Sequence, residues 1–191
     1  RRFASWRYAA YGWWRHARHD VNNPLYAAPL WGSFFMYKSL LEHIAQYLNQ
    51  NPEPQKALEW VCAEIQQKRT AYDWVGFYFH KPEKKELHLK AFAGKPTDHT
   101  VIPFGKGICG QVALSNQNFV VDDVSEQDNY IACSIDVKSE IVVPLFMEGK
   151  NVGQIDIDSK TARAFDDKDE AFLVEVNRLV ATYLLRSEMN C

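Results

Sequence analysis

The sequence predicts an α+β domain, with helices packed on a largely antiparallel sheet. Three observations carry that expectation. Apolar residues recur at helical spacing near both ends of the regular part of the chain, over residues 37–48 and 172–183, which is the pattern of a helix with one buried face. Between them lie short runs such as Ile155-Asp156-Ile157-Asp158, whose strict alternation is a strand signal. Polar turn sequences, Lys81-Pro82-Glu83-Lys84-Lys85 and Met147-Glu148-Gly149-Lys150-Asn151, join such runs into hairpins.

Taken in order, the first helix runs from Met36 with Tyr37, Leu40, Leu41, Ile44, Tyr47 and Leu48 on its stripe, and the Pro-rich turn from Asn49 to Pro54 ends it. A second spans Pro54 to Lys68 and buries Leu58, Val61, Cys62 and Ile65; a thiol on such a stripe behaves as a small hydrophobe. Strands are expected over 73–80 and 86–93, a short helix from Gly107 to Leu114, and a strand from Asn118 to Val121. Residues 122–128 read as an acidic loop without the spacing or glycine of a calcium-binding loop. Two strands follow, one opened by Glu140 and one ending at Ser159. The last helix runs from Asp166 to Leu185, with acids in its first turn as the helix dipole prefers.

A chain of 191 residues, 47% apolar, with nine glycines and eight prolines suits one globular domain. Its net charge of -2 gives no electrostatic case for nucleic acid or an anionic membrane. That average hides an asymmetry, because residues 1–35 hold five arginines against the single acid Asp20, a balance of +4 that leaves -6 in the remainder. The same segment holds four of the six tryptophans and no apolar run able to cross a bilayer. It reads as an aromatic, Arg-rich extension covering the domain or a partner, as a leader upstream of a start at Met36, or as a basic aromatic segment for a membrane surface, with the first two favoured, and the domain proper as residues 36–187.

Candidate chemistry centres on Cys109, in Gly105-Lys106-Gly107-Ile108-Cys109-Gly110, and Cys133, in Tyr130-Ile131-Ala132-Cys133-Ser134. On a strand, Asp156 and Asp158 share one face while Ile155 and Ile157 bury the other. The pair is either a solvated polar face or a ligand clamp. Glu140 bears on the choice. A three-residue loop over Glu148-Gly149-Lys150 sets Glu140 opposite Asp158 on the same face, whereas a two-residue loop sends it to the other. Apolar parity favours the first, since Ile141, Val143 and Leu145 then share the buried face with Ile155 and Ile157. Four cysteines without a secretion signal suit a reducing, cytoplasmic setting.

The segments Asp73-Trp74-Val75-Gly76-Phe77-Tyr78, Ile102 to Gly110, Tyr130 to Cys133, Ser139 to Leu145 and Ile155 to Ser159 resemble the GAF domain. More narrowly they resemble the free methionine-R-sulfoxide reductases, single GAF domains that reduce the free amino acid. The resemblance implies a sheet of about six antiparallel strands with the N- and C-terminal helices packed on one face. It also implies reduction of free methionine-R-sulfoxide through a sulfenic acid and a disulfide. Cys133 would attack and Cys109 resolve, although Cys109 at a helix start could itself be the nucleophile. Glu140, Asp156 and Asp158 would bind the substrate ammonium, and one of them could donate a proton to the sulfoxide oxygen. Trp74 and Tyr78 would pack the thioether end or serve as plain core. Thioredoxin is the implied reductant and a homodimer the implied assembly, without cofactor or metal. One departure stands out: His99 occupies the place where the family carries a third cysteine. It either assists a neighbouring thiol or marks a non-catalytic GAF module that binds or senses a small molecule. A zinc site from His99, Cys109, Cys133 and an acid has no ligand spacing in its favour.

Overall fold

The computed structural model describes residues 28–127 and 136–189, with side chains over 35–127 and 136–187. The chain separates into two units, Arg1–Met36 and Tyr37–Cys191, and the account below concerns the second. The elements are α1 (Ala28–Leu48), α2 (Pro54–Lys68), β1 (Trp74–Lys81), β2 (Glu86–Ala93), β3 (Val101–Pro103), α3 (Gly107–Ser115), β4 (Phe119–Val121), a single 3₁₀ turn (Val124–Glu126), β5 (Ser139–Met147), β6 (Lys150–Ser159) and α4 (Asp167–Met189). The helix start expected at Met36 lies instead at Ala28, where Pro29 falls in the first turn and loses no hydrogen bond. The element-by-element reading misses β3, three residues long and ending in proline, which pairs Ile102 with Leu87 at the sheet edge, a position where proline is tolerated. The 3₁₀ turn in the acidic stretch is capped by the Asp123 carboxylate, which accepts from the Ser125 N–H at 2.9 Å.

All six strands pair antiparallel in the order β3-β2-β1-β6-β5-β4. The middle of the sheet is therefore β1 against β6, which brings residues 74–79 beside 153–158. One face carries Val75, Phe77, Ile141, Val143, Ile155 and Ile157, every one buried. It packs on α2 and α4, and burial of this size supplies most of the drive to fold. Cys62 lies in that layer, fully buried against the Phe77 backbone, and burial pushes its thiol well above the ordinary range. It is the inert core thiol expected from its helical stripe.

The opposite face meets α3. Trp74, Tyr78 and Val142 from the sheet cluster there with Ile108, Cys109, Val112 and Ala113 from the helix. Around the far layer, the buried Asp169 carboxylate accepts from Tyr72 Oη at 2.7 Å and Arg69 Nη2 at 2.6 Å, and from Tyr37 Oη. It also caps the backbone N–H of Asp166 at 2.9 Å, so one side chain ties α1, the end of α2 and the start of α4 together. Among the described residues no helix is long and apolar enough to cross a membrane.

Candidate active site

The site starts from the β5–β6 hairpin, whose turn corrects the expected loop. Glu148 and Gly149 both adopt the left-handed conformation, with φ of 49° and 78°, the geometry of a two-residue hairpin turn. Alone it would put Glu140 on the wrong face. The register shifts between Leu145, which pairs with Gly153, and Phe146, which pairs with Asn151. Val152 is the extra residue of a β-bulge, and one extra residue restores the alternation. Glu140 therefore pairs with Asp158 and Val142 with Asp156, the register that apolar parity favours. The correction concerns the loop, not the face.

Cys109 reaches the same face from α3. The segment before it turns tightly: Gly105 donates its N–H to the Gly110 carbonyl at 2.7 Å, and a Cβ on Gly110 would lie 2.6 Å from the Pro103 carbonyl oxygen. Cys109 is the third residue of α3, whose first turn has no acidic residue and no side-chain cap from Lys106. Backbone N–H groups there favour a thiolate.

Ligating atoms of Cys109, Glu140 and Asp156 all lie within 4.8 Å of one another, and all three residues are buried. Apart from the weak Cys109 thiol donor, neither oxygen of Asp156 has a hydrogen-bond partner, nor does Oδ1 of Asp158. Burial raises the Asp156 carboxyl to about 7, with the Cys109 thiol beside it offsetting part of the rise. Burial and then the charges of Asp156 and Asp158 push Glu140 well above the usual carboxylate range; burial and then Asp156 do the same to Asp158. Like charges brought together in a poor dielectric favour the protonated acid. The cluster thus holds its protons to higher pH than isolated carboxyls would.

A loop over residues 94–100 borders this cluster and is tied down by two aromatic side chains. Trp74 Nε1 donates to the Lys95 carbonyl at 3.1 Å, and Tyr78 Oη donates to the His99 carbonyl at 2.8 Å. Both rings share the sheet face of Asp156 and are nearly or wholly buried. His99, Cys109 and Glu140 line one small cavity of about 10 Å³ with Lys106 and Gly107, and His99 Nδ1 is buried without a partner.

The fold therefore brings Cys109, Glu140 and Asp156 together, sets His99 on the cavity that Cys109 and Glu140 line, sets Asp158 across from Glu140, and places Trp74 and Tyr78 as the loop's anchors. Cys133 lies outside the described residues. Two residues escape the sequence reading. Gly76 pairs with Asp156, and the Trp74 ring lies so close that a Cβ on Gly76 would come within 2.1 Å of it; a lone glycine inside a strand signals such an approach. Gln154 continues the polar face, fully buried, with neither amide atom partnered. A larger cavity of about 610 Å³ opens elsewhere, among Glu53, Leu58, His80, Met147, Lys150 and Leu185, and holds no cysteine.

Known proteins share this architecture. The family model described as the GAF domain matches residues 52–184. Protein YtsP of Bacillus subtilis is 41% identical over 103 residues, 54% of this chain and 63% of that protein. The free methionine-R-sulfoxide reductase of Saccharomyces cerevisiae is 40% identical over 110 residues, 56% of this chain and 61% of that enzyme. The chain thus spans less than two thirds of the length of both. Among solved structures, the free methionine-R-sulfoxide reductase of Neisseria meningitidis in complex with its substrate superposes with a TM-score of 0.77 at 33% identity. That match covers 81% of this chain and 92% of the other.

Proposed function

From the premise that this chain belongs to the GAF domain family, we propose that it reduces free methionine-R-sulfoxide to methionine with its own thiols. The observation that carries this reading is the buried thiol of Cys109 beside the Glu140 and Asp156 carboxyls. A reductase of this type needs those groups: a sulfur nucleophile, an acid that still holds a proton at neutral pH, and an ionised acid for the substrate ammonium. The similarity to the yeast and Neisseria reductases supports the choice of substrate.

A cysteine thiolate attacks the sulfoxide sulfur while Glu140 or Asp156 delivers a proton to its oxygen. The S–S adduct that forms then collapses: the hydroxyl passes from the substrate sulfur to the cysteine sulfur as the S–O and S–S bonds break, so methionine leaves with the electron pair and the cysteine becomes a sulfenic acid. A second thiol displaces that hydroxyl as water, forming a disulfide, and an external dithiol of the thioredoxin type returns both cysteines to thiols. Cys133 and Cys109 fill the two thiol roles, Asp158 and the deprotonated member of the cluster bind the ammonium, and Trp74 and Tyr78 shape the apolar end. A homodimer in a reducing compartment is the matching assembly.

The test is methionine release from the R and S epimers, driven by thioredoxin, its reductase and NADPH or by dithiothreitol. We expect turnover of the R epimer that disappears in Cys133→Ser and Cys109→Ser. His99, standing in for the third family thiol, favours a second reading, a GAF module that binds an amine-bearing ligand without turnover. A well-folded wild type inactive with both reductants would select it.

A further inference from the structure

We propose that Cys109, Glu140 and Asp156, with the His99 ring as a fourth donor, form a binding site for a thiophilic divalent cation of the zinc class. Sequence spacing gives no hint of it, because the donors come from α3, β5, β6 and the loop after β2, and only the fold assembles them. The three donor atoms already lie within 4.8 Å of one another, each on a buried residue. Bonds of about 2.0 to 2.3 Å around a tetrahedral ion place donors roughly 3.3 to 3.8 Å apart, so modest side-chain rotations close these three, and the His99 ring, which stands outside that group, swings in across the shared cavity to complete them.

Two independent features point to an ion in the middle. The fully buried Asp156 carboxyl has the Cys109 thiol as its one neighbouring donor and no other hydrogen-bond partner, an expensive state for a polar group unless something positive completes it. His99 Nδ1 is likewise buried and unpartnered, and its residue lines the same cavity as Cys109 and Glu140. At about 10 Å³ that cavity has room for one small particle.

The donor set selects the metal class. One sulfur, one imidazole nitrogen and two carboxylates suit zinc or cobalt(II), whereas calcium and magnesium need six or more oxygens. Loading releases the Cys109 proton, and any carried by the two carboxyls, to solvent, with no change of oxidation state. Cation binding stands apart from the reductase reading, since it needs no substrate. It bears on that reading in one respect: a metal-held Cys109 is no longer available to the disulfide cycle.

The experiment is a titration of the reduced full chain with cobalt(II), followed by the near-ultraviolet thiolate-to-cobalt absorption and its displacement by zinc. We expect saturable binding whose band is absent in Cys109→Ser, and affinity at least about tenfold weaker in Asp156→Asn. A band that persists in Cys109→Ser, or no saturable binding below millimolar metal, would overturn the site. Unchanged affinity in His99→Ala would overturn the fourth donor. Should the variants fold poorly, wild-type protein answers alone: zinc must shield Cys109 from alkylation in peptide maps, and full-rate labelling at saturating zinc sinks the proposal.

Discussion

At Asp156 the fold holds a carboxyl at a pKa of about 7 by burying it. The native state therefore binds a proton that the unfolded chain, near pH 4 to 7, has released. A raised acid contributes stability that is complete below its unfolded pKa and is lost as pH rises to about 7. Asp156→Asn removes that penalty. We expect the variant to gain on the order of 3 kcal/mol relative to wild type between pH 4.5 and pH 8, measured by urea melts at both, while sulfoxide reduction falls away. A variant whose pH dependence matches wild type would show that Asp156 is not proton-loaded. Much of this residue chemistry was legible beforehand: alternation around Asp156 and Asp158, with apolar parity from Ile141 to Leu145, placed three acids on one face. Gly76 and Gln154 were not, because what matters there is a ring lying over one and a lack of partners around the other, and neither leaves a periodic trace.

Among the elements, the hairpin shows how a correct face can be reached through an incorrect loop. A strand pattern reports parity alone, and a three-residue loop and a two-residue turn with one bulged residue have the same parity. Deleting Val152 tests the difference. Without the bulge, Glu140 and Asp158 cannot both stay on the face of Asp156 under the same turn, so we expect loss of sulfoxide reduction. Full activity would mean that the turn absorbs the deletion. The Asp169 hub makes a second prediction of this kind. Burial works against its charge, yet hydrogen bonds from Tyr37 and Tyr72 hold its carboxyl below the usual range. Tyr72→Phe leaves the carboxylate one donor short and should cost roughly 1 to 3 kcal/mol in denaturant unfolding. The loss fades as pH falls through the Asp169 pKa, since a lowered acid contributes only where it is ionised. Long periodic helices and α3 behind its glycines were legible in sequence, whereas β3 was not, because three residues at an edge are too few to show a period.

For the molecule as a whole, the sheet is a partition between two buried thiols. Cys62 sits in the layer under α2 and α4, and Cys109 in the layer under α3. Alkylation of native protein followed by peptide mapping should mark Cys109 well before Cys62, and Cys62 labelling should follow the global unfolding midpoint. Equal labelling of both at low denaturant would mean that the α2 layer opens by itself. The strand order carries a consequence for biosynthesis. Gly76 and Asp156 are neighbours in the sheet but stand 80 residues apart in the chain, and closing so long a loop is slow. During translation β1 emerges early and waits with one edge open until β6 has been made. The nascent protein thus carries Cys109 well before Asp156 can reach it, and the cluster of thiol and carboxyls comes into being only when the middle of the sheet closes.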